Sequence, residues 1–194
     1  MQTQKEGVRR RILNAALEQF YAHGYRGARI TEIAGNAGVA VALIYNYFLN
    51  KAALFDAVVH QVYLALEELI DREIMIWNES GQETISDYDL NRFADQIFER
   101  CRPIAKNIYV LWYRADGSKH EQGRLSVEEA LAKHIYKWGM RYTKKPIDGQ
   151  FASMLSKIFL TGLVDSLVDE RDDDACKQQF LRFWSVYRAG VATL

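Results

Sequence analysis

The 194-residue sequence has little proline and no closely spaced pair of cysteines. Only two prolines and twelve glycines interrupt the chain, and this scarcity favours long helices over a sandwich of many short strands. Cys101 and Cys176 form no C-x-x-C motif, so neither a disulfide framework nor a zinc site is indicated and two buried free thiols are expected. We predict no metal and no cofactor.

The sequence also lacks the segments that carry a protein into or across a membrane. No run of eighteen uncharged apolar residues occurs, and the charged N-terminus has no apolar stretch behind it, as a signal peptide would require. Apolar residues make up 49% and charged residues 26% of the chain, a balance typical of soluble folded proteins. These features predict a cytoplasmic protein with no membrane partner.

Catalytic motifs are absent as well. The sequence contains no G-x-S-x-G, no phosphate-binding loop and no H-E-x-x-H motif, which mark common classes of hydrolase and nucleotide-binding enzyme. Its four histidines are scattered along the chain, at His23, His60, His120 and His134. We therefore predict that the protein is not an enzyme.

Charge is unevenly distributed, although the whole chain is formally neutral. Residues 1–51 carry seven basic and three acidic side chains, a net charge of +4, whereas residues 52–194 carry 18 basic and 22 acidic ones, a net charge of −4. A basic part joined to a mildly acidic body is the pattern of a nucleic-acid-binding module attached to a second module. The Arg9–Arg11 run is interpreted as a solvated helix end, with proximity to phosphates as the alternative.

Apolar periodicity predicts three helices within the first 48 residues. The first covers residues 8–23 and ends at Gly24, the second covers residues 30–37, and the third runs over about residues 40–48. Between the last two lies Gly38, which can adopt the positive φ of a tight turn. Two short helices joined by such a turn predict a helix-turn-helix, whose second helix enters the major groove of DNA.

The remaining chain is predicted to be helical, which gives an all-α fold of about nine helices. Asn50 is expected to cap a long fourth helix, and the S-x-x-E box that begins at Ser126 is expected to open a later one. No strand pattern and no internal repeat occurs. The predicted domains are a helix-turn-helix domain, residues 1–51, and a helical domain, residues 52–194.

The N-terminal motifs together resemble the DNA-binding domain of the tetracycline-repressor (TetR) family of transcriptional regulators. The resemblance covers roughly residues 8–58 and rests on Arg11-Ile12-Leu13, Ala15-Ala16, Phe20, Gly24-Tyr25, Ile33-Ala34, Ala37-Gly38-Val39, Ile44-Tyr45, Tyr47-Phe48 and Lys51. It implies a homodimer, most commonly a repressor, that binds a palindromic double-stranded DNA operator. It also implies that residues 52–194 bind a small-molecule effector and form the dimer.

The resemblance further implies which side chains face DNA. The predicted DNA-binding residues are Thr31, Val41, Ala42, Leu43, Tyr45, Asn46, Tyr47 and Lys51. Base contacts are expected from the start of the recognition helix, and phosphate contacts from the two tyrosines and the lysine.

The recognition segment AVALIYNYF departs from the family pattern because it has few hydrogen-bonding side chains. The family commonly has serine or threonine at the positions of Ala28, Arg29 and Ala40, and a small or polar residue at that of Leu43. Valine, alanine and leucine can contact thymine methyl groups, and Asn46 could pair bidentately with adenine. We therefore predict weak sequence discrimination. The alternative function is a helical ligand-binding or protein-interaction module with a vestigial, non-specific DNA-binding part.

Aromatic residues are dense in the second domain, where they suit a flat, mostly apolar effector. The predicted effector-binding residues are Trp77, Phe93, Phe98, Tyr109, Trp112, Tyr113 and Trp138. The resemblance assigns the dimer interface to the last two helices, with Phe159, Gly162, Phe180, Phe183, Trp184 and Tyr187 as the predicted residues. Both sets of rings could instead form ordinary internal core.

Overall fold

The computed structural model describes residues 2–80, 87–142, 147–169 and 171–192, and nine α-helices lie within these ranges. They are α1 (Gln2–Gly27), α2 (Ile30–Ala37), α3 (Val41–Tyr47), α4 (Lys51–Ser80), α5 (Asp87–Cys101), α6 (Ala105–Tyr113), α7 (Gly123–Tyr142), α8 (Gly149–Val168) and α9 (Asp173–Ala192), with a short 3-10 turn at Arg102–Ile104. These described ranges contain no strand, and the prediction of an all-α fold is confirmed.

Gly24 breaks α1 at the position where the apolar periodicity ends. Its φ of 68° and ψ of 173° are not helical, and a positive φ favours glycine. One further helical turn follows, up to Gly27. Next to the break, the Tyr25 N–H donates a hydrogen bond to the carbonyl of Arg114 at 2.8 Å, which ties the end of α1 to the segment after α6.

The helix boundaries that depend on local signals agree with the sequence, with one exception. α2 covers the predicted residues 30–37, and the Oδ1 of Asn50 caps α4 by accepting a hydrogen bond from the Ala53 N–H at 2.8 Å. The predicted start of a helix at Ser126 is wrong, because α7 begins at Gly123. There the Gly123 N–H donates to the carbonyl of His120 at 2.8 Å, so hydrogen-bonded turns lead directly into the helix.

The chain forms two compact units. Unit 1 comprises Met1–Leu64 and Lys106–Arg124, and unit 2 comprises Ala65–Ala105 and Leu125–Leu194. The units therefore differ from a division at residue 51: the first part of α4 and the whole segment 106–124 pack with the helix-turn-helix.

Unit 1 is built around the fully buried rings of Phe20 and Phe55, whose centroids lie 4.8 Å apart in an edge-to-face arrangement. Burying a side chain of this kind stabilises a fold by about 1.5–3 kcal/mol. α6 joins this core through Asn107, whose buried side-chain amide donates to the carbonyl of Val58 at 2.8 Å. Segment 106–124 thus packs as part of unit 1, although it is distant in sequence from the start of α4.

Unit 2 contains an arginine that fixes the end of α8. The Arg102 guanidinium donates to the carbonyl of Leu167, and at 2.7 and 2.8 Å to those of Asp169 and Arg171. It also pairs with Asp173, at the start of α9, at 2.7 Å. The last carbonyls of a helix have no partner within the helix, so Arg102 satisfies the C-terminal end of α8 and holds the turn into α9.

α8 is long and apolar enough, by length and composition alone, to cross a membrane, with a mean hydropathy of 1.5 over its most apolar window. Half of that window is buried within the protein, and the Asp148 carboxylate caps the helix by accepting from the Phe151 N–H at 2.8 Å. A core helix passes the same test, so this is weak support for a membrane span.

The two cysteines, Cys101 and Cys176, are free and buried, as predicted. Burial raises the pKa of the Cys101 thiol to about 12, which keeps it protonated and unreactive at neutral pH.

Candidate nucleic-acid interface

The turn between α2 and α3 depends on Gly38. Its φ of 64° and ψ of 42° lie in the left-handed region, which glycine adopts at little cost. α2 reaches this turn with Ile33, Ala34 and Ala37 buried, so it is fixed on the core of unit 1. The turn therefore sets the direction in which α3 leaves α2.

α3 lies on unit 1 through one fully buried side chain and presents most of the others outward. Ile44 is 1% exposed, whereas Ala42, Asn46 and Tyr45 are exposed, the last by 49%. Three further predicted residues of α3 are half-buried: Val41, Leu43 and Tyr47. Thr31 of α2 is exposed. Each predicted DNA-binding residue of α2 and α3 thus keeps accessible surface in unit 1.

Two arginines of α1 lie against the helix-turn-helix. The guanidinium of Arg9 lies 5.5 Å from the ring centroid of Phe48, at the end of α3, and Arg11 Nη1 lies 3.8 Å from the position that a Cβ would take at Gly38. Arg9 and Arg11 are both exposed. The arginine run therefore adds positive charge directly beside α3 and its turn.

Lys51 caps the end of α1 as well as starting α4. Its ammonium donates to the carbonyls of Arg26 and Ala28 at 3.3 and 3.2 Å and lies 4.8 Å from the ring centroid of Tyr25. Carbonyls at a helix end need such partners. An ammonium carries three N–H groups, so two are used within unit 1 and the third is the one that a phosphate could accept.

A polar network holds the start of α4 to the segment after α6. His120 Nε2 lies 2.7 Å from Asp56 Oδ1, and His120 Nδ1 lies 2.9 Å from the Tyr63 hydroxyl. The Lys119 ammonium lies 2.6 Å from Asp56 Oδ2. Burial opposes the charge on Asp56, but the hydrogen bonds from Lys119 and His120 outweigh it and hold the pKa of Asp56 below its ordinary value. The network fixes the helix that follows α3.

The predicted effector-binding rings do not all lie in one unit. Phe93 and Phe98 lie in unit 2, where their ring centroids are 5.6 Å from Trp184 and 6.1 Å from Phe180, respectively. Three others belong to α6 of unit 1: Tyr109, Trp112 and Tyr113. The side chains of Trp77 and Trp138 are outside the described residues.

The three α6 rings have packing partners within unit 1. Tyr109 lies between Tyr21 and Tyr113, with ring centroids 4.8 and 5.1 Å away, and Trp112 is buried. The packing of Tyr109 and the burial of Trp112 agree with the alternative that these rings belong to ordinary internal core.

The rings predicted for the dimer interface form a cluster inside unit 2. Phe180 has no exposed surface, and Phe159 and Trp184 are buried. Half-buried positions are Gly162, Phe183 and Tyr187, and a Cβ at Gly162 would lie 2.5 Å from the Phe183 ring. Glycine thus lets α8 and α9 approach closely within one chain, and Phe180 is core.

Sequence reasoning missed the positions of Arg9 and His120. Arg9 meets Phe48, and His120 meets Asp56, across 39 and 64 residues of chain, so no local pattern reveals either contact. The one available signal for Arg9 was the arginine run itself, on a helix that precedes a helix-turn-helix. For His120 no comparable signal exists.

Comparison with known proteins agrees with this geometry. Residues 12–58 match the family described as bacterial regulatory proteins, tetR family. The HTH-type transcriptional repressor SCO4008 of Streptomyces coelicolor is 43% identical over 61 residues, 31% of this chain and 32% of that protein. The matching segment thus spans about a third of the length of this relative.

Two further similarities extend beyond the N-terminal helices. The HTH-type transcriptional regulator YdgC of Bacillus subtilis is 28% identical over 164 residues, 81% of this chain and 84% of that protein. The crystal structure of NalD, the secondary repressor of the MexAB-OprM multidrug efflux pump in Pseudomonas aeruginosa, is 21% identical, covers 95% of this chain and 96% of its own, and has a TM-score of 0.61. At that identity it shows the fold alone. Together with the motifs of α1 to α4, the family match identifies residues 12–58 as a segment of the tetR family of bacterial regulatory proteins, and the NalD comparison shows a shared fold.

Proposed function

We propose that the protein is a homodimeric, ligand-responsive transcriptional repressor that binds a palindromic operator and leaves it when a small, largely apolar effector binds in unit 2. The observation that carries the proposal is the exposure pattern of α3. Ile44 anchors the helix while Ala42, Tyr45 and Asn46 face outward. A short helix held this way, after a tight turn, has the geometry that enters a major groove.

The chemistry of the outward residues assigns them separate tasks. The methyl groups of Ala42, Val41 and Leu43 suit thymine methyl groups, and the Asn46 amide suits the N6 and N7 edge of adenine. The hydroxyls of Tyr45 and Tyr47 suit phosphate oxygens. With one amide among several apolar side chains, sequence discrimination is expected to be weak and to favour A·T pairs.

Phosphate attraction is expected from the cations that surround α3. Arg9 and Arg11 lie beside Phe48 and Gly38, and Lys51 keeps one N–H beyond its two bonds, to the carbonyl of Arg26 in α1 and to that of Ala28 just after it. Each phosphate that a cation neutralises releases a counterion, so the affinity should fall steeply with salt.

Dimerisation is proposed because one helix-turn-helix offers too few base contacts for tight specific binding. The proposed surface lies on α8 and α9, where apolar side chains are exposed in the single chain. Met154 and Ile158 are 47% and 46% exposed and lie four residues apart, on one face of α8, and Val186 of α9 is 74% exposed. Phe183 and Tyr187 are half-buried on α9.

The effector is proposed to bind among aromatic side chains of unit 2, of which Phe93 and Phe98 were predicted from the sequence. A ligand can release DNA only if it binds the DNA-competent and incompetent states with different affinity. Effector and operator should therefore weaken each other's binding by the same factor.

Selection from a random DNA pool tests the proposal. The full chain should select a symmetric site, and binding to that site should weaken as salt rises, with a log–log slope of about −0.9 per phosphate contact. Asn46→Ala should lower affinity and relax the preference at one base pair per half-site, whereas Lys133→Ala, an exposed change on α7, should do neither.

The same experiment addresses the alternative function. Selection of no common sequence, with weak binding that ignores base composition, would favour a ligand-binding or protein-interaction module with a vestigial DNA-binding part. The apolar, exposed surface of α3 is the observation that motivates this alternative. A monomer in sedimentation at working concentration would also contradict the proposed repressor.

A further inference from the structure

Leu49 lies in the short connection between α3 and α4 and presents most of its side chain to solvent. It is 84% exposed, the highest value among the large apolar side chains of the described residues. Exposed leucines are common on protein surfaces, so exposure alone does not indicate a partner. Leu49 is distinguished by its fixed backbone, by the cations near it and by its place beside α3.

The backbone on both sides of Leu49 is held in place. The Phe48 N–H donates to the carbonyl of Ile44 at 2.9 Å, and Phe48 is only 6% exposed. On the other side, the Asn50 side chain caps α4 by accepting from the Ala53 N–H. Leu49 therefore stands on a fixed support, and a partner that binds there has little backbone to order.

Cations lie on both sides of this connection. The guanidinium of Arg9 lies 5.5 Å from the centroid of the Phe48 ring, and Lys5, also exposed, lies one turn earlier on the same face of α1. Lys51 keeps an N–H beyond its two bonds to backbone carbonyls. An apolar side chain among these cations is complementary to a surface that combines negative charge with apolar groups.

The backbone of DNA is such a surface, because its phosphates alternate with deoxyribose rings that expose C–H groups. The N-terminal residues of a helix in the major groove reach base edges. Leu49 instead follows the C-terminal end of α3, between Tyr47 and Lys51, which are the proposed phosphate contacts. Its apolar partner at that end is therefore a sugar and not a base.

We propose that Leu49 packs against a deoxyribose ring of the DNA backbone, beside the phosphates that Tyr47 and Lys51 contact. The contact is apolar, so it adds affinity that salt does not screen. Each nucleotide carries the same sugar, so the contact adds no sequence preference. The inference rests on the proposed function, in that α3 enters a DNA groove, and it adds a positioning residue.

Truncation of Leu49 gives the first test. The full chain is titrated by fluorescence anisotropy against the selected operator and a random-sequence duplex of equal length, at several salt concentrations. Leu49→Ala should weaken both duplexes about fivefold, as expected when part of a leucine's burial is lost, and should leave their affinity ratio and the salt slope unchanged. Leu125→Ala, at a position of unit 2 that is 42% exposed, is the matched truncation and should change neither affinity.

Leu49→Lys tests the position separately from the apolar contact. An ammonium beside the DNA backbone should make the log–log salt slope steeper by about 0.9, as for one added phosphate contact, whereas Leu125→Lys should leave the slope unchanged. Equal slopes for the two lysine variants, or full affinity in Leu49→Ala, would overturn the inference. A changed ratio between operator and random duplex would indicate a base contact and would overturn it as well.

NMR identifies the partner directly. In deuterated protein with protonated leucine methyl groups, the Leu49 methyl resonances, assigned with Leu49→Ala, should show NOEs to sugar protons of the bound duplex. NOEs to thymine methyl groups instead, or none to DNA, would contradict the proposal. A loss of affinity in Leu49→Ala that occurs only on DNA with two adjacent sites would assign Leu49 to a contact between neighbouring copies, which also contradicts it.

The two proposals can fail separately. If the chain selects no common sequence, but Leu49→Ala weakens binding to the random duplex and the sugar NOEs appear, the Leu49 contact stands and the operator-specific repressor is refuted. If the chain selects a symmetric operator that Leu49→Ala binds with full affinity, only the Leu49 contact is refuted.

Discussion

Both units contain buried aromatic rings, but the exposed tyrosine of α3 in unit 1 and the buried ring cluster of unit 2 have different surroundings. In unit 1, Tyr45 of α3 is 49% exposed, whereas in unit 2 Phe180 has no exposed surface and Trp184 only 8%. The guanidinium groups of Arg9 and Arg11 lie close to the helix that carries Tyr45. Trp184 instead packs against the aromatic rings of Phe159 and Tyr187. The difference separates two uses of the same residue class: an exposed ring with a polar tip suits phosphates, and a buried ring contributes packing.

That contrast also locates the exception. In unit 2, the Nε1 atom of the buried Trp184 indole has no hydrogen-bond partner among the described residues. The following predictions test whether the two units differ in the proposed way.

The largest effect is expected from Phe180→Ala. Removing a fully buried ring that contacts several others should lower the free energy of unfolding by about 3–5 kcal/mol. Urea denaturation at fixed protein concentration measures it. Leu49→Ala, at a position that is 84% exposed, is the matched apolar truncation and should cost less than about 0.5 kcal/mol. Similar losses for both variants would show that the cluster is not core.

A smaller loss is expected from Gly162→Ala. The new Cβ would lie 2.5 Å from the Phe183 ring, so α8 and α9 must shift, at a cost of about 1–3 kcal/mol. Gly149→Ala adds a methyl group to the same helix with nothing within 4 Å and should not destabilise the protein. Phe183→Leu should recover part of the loss in a double mutant; purely additive losses would contradict the close contact.

Tyr45→Ala should affect DNA binding and leave stability unchanged. Loss of one phosphate contact should weaken operator binding about tenfold, or about 1.4 kcal/mol, and fluorescence anisotropy with the selected operator measures it. The melting temperature should stay within about 1–2 °C, since exposed substitutions cost little. A drop in melting temperature with unchanged operator affinity would show that Tyr45 contributes to packing and not to DNA binding.

The smallest effect is expected from Asp56→Asn, at about 1 kcal/mol near neutral pH. The folded-state pKa of Asp56 lies below its ordinary value of 3.8, so its contribution is complete above that pH and is lost as pH falls through the folded value. The stability difference between wild type and variant, from urea denaturation, should therefore shrink below about pH 4. Glu129→Gln, an exposed change on α7, should give no such pH-dependent difference.

The sequence predicted the parts of unit 1 that depend on neighbouring residues. α2 and its turn follow from a short apolar pattern and Gly38, and the start of α4 follows from Asn50, whose cap bond spans three residues. Glycine in the left-handed region and an N-cap asparagine act over one turn of chain. Such features can be read before any tertiary contact is known.

Other features could not be predicted, because their partners are distant. Asn107 bonds to the Val58 carbonyl across 49 residues, and Lys106 meets Glu18 across 88. A pattern of apolar residues shows that α6 has a buried face, but it does not show which helix covers that face. For this reason the sequence did not show that Tyr109 and Trp112 pack in unit 1 while Phe93 packs in unit 2, and their predicted role in effector binding stays a prediction.

The inclusion of segment 106–124 in unit 1 has a consequence for synthesis of the protein. A ribosome that has released only the first hundred residues has made every predicted DNA-binding side chain, but not the amide that bonds to Val58 or the imidazole that meets Asp56. Unit 1 therefore becomes complete only once about residue 124 has left the exit tunnel. A truncated product that ends after α3 should be a poor DNA-binding fragment, and premature termination should yield no interfering regulator.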